Sequence, residues 1–423
     1  MYKKHEMNLS PEKKLLLYCS HINLTKGMQQ EIDLLVKKSI DWIQFLDYAR
    51  WHSVSQLVFV NLKKSSERSH IPLKIIESLK TAYRENLVRN TIIFDEYEKI
   101  ITLLDSQKIQ VIPLKGIAIA KTIYSDIGLR PMSDIDILVK RENLQGACEL
   151  MSDLGFKQVK HTKPYHHINY IIPKINLLVE IHYDIESKHH PSLIRPKVKN
   201  LMEVWWSRVQ REKSDNQIEY YLHPMDLICL LSHHFIKHRF TDRNDWFSSY
   251  GALRQLCDLY FVIEYYQNDI DWEQLKIELQ KFGLYKVVCV TLSVVNEVFF
   301  ETFGKRMDFL VNWEIESSEK KITNFVSKRI FNMEDRYTPV PLAFIRAQTE
   351  VSLLKRIIQI TKKIYPSPEM LSKRLNKPIN SKFFYLNYLT HTFNLCYKHG
   401  KTMIRSQNLK MEGNLIRWIN EIK

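Results

Sequence analysis

Residues 128–140 read GLRPMSDIDILVK. Gly128 and Pro131 break any preceding helix, so the stretch opens as a turn. From Asp134 onward Ile135, Ile137 and Val139 recur at every second position, which predicts a strand. Side chains two apart in a strand share a face, so Asp134 and Asp136 project together, opposite the apolar residues. Two neighbouring carboxylates repel, and one keeps its proton unless a cation lies between them. Mg²⁺ takes hard oxygen ligands, commonly one or two carboxylates plus substrate phosphate oxygens. On spacing alone, a solvated pair at a strand end is the simpler reading. The neighbourhood decides against it.

The later segment LVEIHY, residues 178–183, repeats the pattern: Glu180 stands between Val179 and Ile181, and His182 follows on the same face. A third carboxylate is what a second metal, or a base for an attacking hydroxyl, requires. Upstream, PLKG (113–116) ends a strand directly before a helix. Backbone N–H groups at such a junction hold phosphate, and Lys115 adds a point charge beside Gly116. Arg130 adds a planar donor suited to phosphate. Two cations and three carboxylates thus converge on a site for a metal-bound triphosphate, the metal being Mg²⁺ or Mn²⁺.

Around this core the order reads β-α-turn-β-α-β-β: QVIPLKG, IAIAKTIYSD, the turn, IDILVK, RENLQGACELMSDLGF, then a hairpin of HHINYIIPK and LLVEIHYDI. The rest is patterned as helix. Before the core stand PEKKLLLYCSHI, a run over 28–52, SVSQLVFVNLKK and a long periodic segment over 72–107. After it come HPMDLICLLSHHFIKHRF, a helix over 249–267, DWEQLKIELQKFG and a helix over 285–304. The expected class is therefore α+β, a small mixed-sheet core embedded in a mostly helical protein. The expected division is a helical region over 1–108, the core over 109–190, a helical substrate-binding domain over 191–305 and a basic helical region over 306–423.

Composition supports a globular chain, with 45% hydrophobic and 26% charged residues over 423 positions. Neither a signal peptide nor a membrane span is legible, so the expected location is the cytoplasm. Six scattered cysteines (Cys19, Cys148, Cys229, Cys257, Cys289 and Cys396) form no CxxC pair and read as reduced core thiols. The net charge is +15. From Val351 on there are 14 Lys and Arg against 3 Asp and Glu, which fits either a polyanionic partner or a solvated helical surface.

The run LKGIAIAKTIYSDIGLRPMSDIDILVKRENLQGACELMSDLGF, followed by VEIHYDI, resembles the nucleotidyltransferase superfamily. It is most similar to a largely uncharacterised bacterial family of nucleotidyltransferases, the family-five type of NTP transferase, and the likeness extends over about Leu15 to Phe303. The resemblance implies a polymerase β-like core, with Asp134, Asp136 and Glu180 as metal-binding and catalytic acids. Gly116 matches the glycine of the turn after the first strand. The wider superfamily usually has Gly-Ser or Gly-Gly there; Lys115-Gly116 follows the closer family. Arg130 matches the family's arginine. The implied activity transfers a nucleoside monophosphate from an NTP to a hydroxyl or phosphate of a small molecule, peptide, protein or RNA, releasing pyrophosphate. The alternatives are a catalytically silent nucleotide-binding protein of the same fold and a nucleic-acid-directed enzyme.

Four further residues are candidates for the acceptor side. His182 shares its face with Glu180. His234 and His238, spaced i, i+4, fall on one helix face; a zinc pair there would lack its remaining ligands. Asp258, in the apolar helix LRQLCDLYF, is expected to pair with one of those histidines, the alternative being that it points to solvent.

Overall fold

The computed structural model describes residues 9–159, 166–185, 201–213, 218–240, 250–300, 303, 307–313 and 315–331, with short pieces between 365 and 391. The class is α+β: helices carry most of the chain around a small mixed sheet. Much of the basic region expected over 306–423 lies outside the described residues.

Four short helices open the chain: α1 (Pro11–Cys19), α2 (Lys26–Val36), α3 (Trp42–Trp51) and α4 (Ser55–Lys63). The single helix expected over 28–52 is two. The chain breaks at 37–41, and the Asp41 carboxylate accepts from the amides of Ile43 and Gln44, restarting the helix as an N-cap. Next comes the long α5 (Leu73–Ser106).

The sheet holds β1 (Val111–Pro113), β2 (Asp134–Val139), β3 (Lys157–Val159), β4 (His167–Ile172) and β5 (Leu177–His182) in the order β1-β2-β5-β4-β3. β2 and β5 run parallel; the other neighbours are antiparallel. Two helices interleave, α6 (Lys115–Thr122) and α7 (Leu144–Asp153). The expected order holds apart from β3. That three-residue strand at the sheet edge is mostly exposed and reads Lys-Gln-Val, too short and polar to show a period.

Beyond the sheet lie α8 (Leu201–Ser207), a hairpin of β6 (Gln210–Lys213) and β7 (Ile218–Tyr221), and then α9 (Pro224–Phe240), α10 (Ala252–Tyr265), α11 (Trp272–Lys281), α12 (Tyr285–Val295) and α13 (Ser317–Ile330). The hairpin stands where only helix was expected. Its first strand, QREK, has no apolar residue to reveal an alternating face.

The sheet separates two cores. Ile135, Ile137, Val139, Val179 and Ile181 pack on one side against Ile93, Ile100 and Leu104 of α5 and against Met151 of α7. On the other side Leu138, two residues past Asp136 and on the same face, joins a larger core built from α1–α4 and from α9, α10, α12 and α13. Helices therefore cover the face that carries the acids. Burial at roughly 25 cal/mol per Å² drives both layers, and β2, apolar after its first residues, is the strand both layers need. Among the described residues no helix is long and apolar enough to cross a membrane. Cys19, Cys148, Cys229, Cys257 and Cys289 are free thiols; Cys396 lies outside the described residues.

Candidate active site

Strand register places the acids. The parallel pairing sets Asp136 opposite Glu180 and Leu138 opposite His182. The antiparallel pairing sets Glu180 opposite Asn169 and His182 opposite His167. One face thus carries a cross-strand row of Asp136, Glu180 and Asn169, with His182 and His167 in the next row. Neighbouring strands are about 4.8 Å apart, so these side chains are direct neighbours. Asp134 enters from the start of β2.

Asp136 is buried, and its Oδ1 takes two contacts, from Lys115 Nζ at 2.8 Å and His182 Nε2 at 2.8 Å. His182 Nε2 also lies 3.3 Å from Glu180 Oε2, and His167 Nε2 lies 3.9 Å from Glu180 Oε1. Burial alone would raise the Asp136 pKa, but Lys115 and the His182 hydrogen bond outweigh it and hold the carboxyl well below the usual range. Asp134 goes the other way. Burial, and then the charge of Asp136, push it up to about 6. Burial opposes the charge on Lys115, but Asp136 and Glu180 win and its pKa rises. The face is a small anionic pit with one lysine in it.

Lys115 starts α6 rather than ending β1, with φ at +47°. A non-glycine residue in that region is strained by about 1–3 kcal/mol and persists only where its surroundings hold it. Here the amide of Leu114 bonds the Asp136 carbonyl at 2.9 Å, and Nζ bonds the Asp136 carboxylate. Gly116 follows because nothing larger fits. A Cβ there would lie 2.8 Å from Arg130 Nη1 and 3.3 Å from Met132 Cγ.

The turn before β2 is fixed from α5. Asn86 Nδ2 donates to the Gly128 carbonyl, Asn90 Nδ2 to those of Ile127 and Arg130, and Arg89 Nε to that of Met132. Tyr83 donates to Asp126 Oδ2 at 2.6 Å. Each such bond contributes about 1 kcal/mol, and together they fix where the DxD begins.

Arg130 is buried, with Nε at 2.8 Å from Asp258 Oδ1 and Nη2 at 2.7 Å from Oδ2. Tyr124 donates to Asp258 Oδ1 at 3.1 Å. The partner of Asp258 is therefore Arg130, not a histidine: β2's leading turn lies closer to α10 than α9's histidines do. Arg130 Nη1 is buried without a hydrogen-bond partner, against the Lys115–Gly116 turn. The histidines of α9 also come to this face. The ring centroids of His234 and His238 are 4.2 Å apart. Burial and His238 hold His234 neutral, and the charges of Lys115 and Asp136 both reach it. His238 is exposed, and neither histidine enters a cluster of metal-ligating atoms among the described residues.

Two such clusters do form: Asp136, Glu180 and His182, and His166, His167 and His182. Asp134 stands outside both. The sequence reading missed Asn169, His166, His167 and Arg254. Lys237 acts on buried His166, and Arg254 on Asp134. A signal was present for two of them, since His167 and Asn169 alternate with Ile168 and Tyr170 in the strand. The α5 clamp gave only a weak signal, polar residues at helical spacing on a face facing the sheet.

A parallel strand pair thus bears three acids beside a lysine-glycine turn and an arginine loop. Residues 38–300 match the family described as an uncharacterised nucleotidyltransferase. The chain belongs to that family. No curated protein matches it.

Proposed function

We propose that the chain is a metal-dependent enzyme that moves a nucleoside monophosphate from an NTP to a hydroxyl or phosphate of an acceptor. In this reading residues 109–190 form a core of the polymerase β-like kind and 191–305 select the acceptor. One observation carries it: Asp134, Asp136 and Glu180 share one sheet face, where burial, and then the charge of Asp136, push Asp134 up to about 6. An excess of buried negative charge held open on a rigid sheet is a standing demand for a cation.

The donor set fits Mg²⁺ or Mn²⁺: three carboxylates, hard oxygens throughout, on two adjacent strands. Asp134, Asp136 and Glu180 would hold the ion, which when bound neutralises the triphosphate and stabilises the pyrophosphate leaving group. The remaining work falls to the chain. Lys115 Nζ leaves Asp136 for a phosphate oxygen, and Arg130 Nη1 donates to another without releasing Asp258. The missing Cβ of Gly116 lets the backbone approach the phosphates. An acceptor oxygen bonds the α-phosphorus as the bond to the bridging oxygen breaks. Its proton passes to Glu180, whose Oε2 lies 3.3 Å from His182 Nε2. His234, His238 and Lys237 on α9 bound the acceptor side.

A second reading, a silent nucleotide-binding protein, rests on one contact pattern: Lys115 and His182 already share Asp136 Oδ1. Incubation with each α-phosphate-labelled NTP, Mg²⁺ or Mn²⁺ and cell lysate separates the two. Label transferred by wild type, and not by Asp134→Asn/Asp136→Asn, establishes transfer and identifies the acceptor class. NTP binding with no transfer from any NTP establishes the silent reading.

A further inference from the structure

We propose a transition-metal site of the Zn²⁺ class at the histidine end of the same sheet face, held by His166, His167 and His182, with Glu180 in reach as a fourth ligand. One ligand atom from each of the three histidines lies within 4.8 Å of the others. The ring centroids are 4.5 Å apart for His166 and His167, 5.0 Å for His167 and His182, and 5.5 Å for His166 and His182. A tetrahedral ion with bonds of about 2.1 Å needs ligand atoms about 3.4 Å apart. The Glu180 oxygens stand 3.3 Å from His182 Nε2 and 3.9 Å from His167 Nε2, bracketing that spacing.

The ligands are rigidly carried. His167 and His182 are direct cross-strand partners, and the Tyr183 amide bonds the His166 carbonyl at 3.1 Å. His166 and His182 are 5% and 3% exposed, which gives the dry surroundings that strengthen coordination. Charge at the rings is mixed: Glu180 and Asp136 act on His167, and Lys237 and Lys115 on His166. The donor set is what separates this site from the carboxylate pit. Imidazoles select Zn²⁺, Ni²⁺, Fe²⁺ or Co²⁺, whereas carboxylates suit Mg²⁺ and Mn²⁺. With Glu180 bound the tetrahedron is complete; with Glu180 engaged on the carboxylate side, three imidazoles leave one position for a water or phosphate oxygen. The inference is independent of nucleotidyl transfer, because it concerns binding of the ion alone.

The test uses the full chain freed of metal by chelation and titrated with Co²⁺, whose visible absorption reports a tetrahedral nitrogen-rich site, and then with Zn²⁺ in competition. Stoichiometric Co²⁺ binding is expected, displaced by Zn²⁺ and not by a large excess of Mg²⁺. His167→Gln and His166→Ala should each weaken it by about 100-fold or more. Asp134→Asn, outside the cluster, should keep it while losing any NTP transfer, so the two readings fail separately. A measurement on the wild type covers variants that do not fold: Zn²⁺ should protect His166 and His167 from carbethoxylation, read by mass spectrometry. Absence of the absorption with equal modification with and without Zn²⁺, or Co²⁺ binding lost in Asp134→Asn but kept in His167→Gln, overturns the site.

Discussion

Two buried cation–carboxylate clusters in this chain hold similar charges and serve opposite ends. In the helical part, Arg208 meets Asp226 of α9 through Nε at 2.8 Å and through Nη2, and Glu278 of α11 through Nη1 at 2.8 Å. Its planar fork is filled, and Gln274 adds a bond to Glu278 at 3.0 Å. On the sheet face, Lys115 reaches one carboxylate directly while three acids crowd around it. The first cluster is closed: donors and acceptors match, and three helical segments are tied together. The second is open: the acids exceed the cations, and a strained lysine stands among them. Burial is common to both. The difference lies in satisfaction, and an unsatisfied charge on a rigid strand marks a place for a ligand.

The largest effects should separate the clusters. Arg208→Met strands Asp226, which is 1% exposed, and should destabilise the fold by about 3–5 kcal/mol in urea unfolding. Asp136→Asn keeps the side chain's shape and an acceptor oxygen for Lys115, with Glu180 and Asp134 still acting on that lysine, so it should cost clearly less stability than Arg208→Met while lowering nucleotidyl transfer by about 10²–10³-fold. If Asp136→Asn unfolds the protein as Arg208→Met does, the sheet cluster is structural and the distinction fails.

Gly116→Ala sharpens the contrast at the edge of the open site. The new methyl would meet Arg130 Nη1 at 2.8 Å. That guanidinium cannot swing aside freely, since Asp258 holds it at two points. Destabilisation of about 1–3 kcal/mol is expected, with weaker NTP binding measured by calorimetry. Wild-type stability and affinity in Gly116→Ala would show that Arg130 has room to move and does not fix the phosphate pocket.

The sequence made some of this legible and hid the rest for physical reasons. The alternation in IDILVK and LVEIHY exposed the buried strands and the acids on their common face, because burial on one side imposes a period of two. It could not reveal that β2 and β5 are parallel neighbours, which sets Asp136 opposite Glu180, since strand order is a property of the whole sheet. Arg130 was visible as a cation before the DxD. Its engagement by Asp258 joins residues 128 positions apart and leaves no local trace. The hairpin of β6 and β7 was missed because β6 buries no residue and the face that β7 buries pairs Glu219 with Tyr221, which shows no apolar period. His166 and His167 were quoted within a strand and passed over, as their meaning depends on a third histidine across the sheet.

The smallest effect isolates the open cluster by pH. Asp134 is pushed up to about 6 by burial and by Asp136, against an ordinary value of 3.8. The folded state therefore holds that proton more tightly than the unfolded chain does. Stability should fall as pH rises from about 4 to 6, by about 1–2 kcal/mol once partial exposure is allowed for. Asp136 has the opposite sign: held below 3.8, it contributes stability above that value and loses it only on further acidification, outside this window. Asp226, raised to about 6 by burial, titrates in the same range. The difference between wild type and Asp134→Asn removes its contribution, because both proteins keep the Arg208 cluster. Metal-free Asp134→Asn should be the more stable protein at pH 7, and its advantage should vanish near pH 4. Identical slopes for the two proteins from pH 4 to 6 would mean that Asp134 titrates as an ordinary surface acid, and that the open cluster carries no excess charge for a cation to relieve.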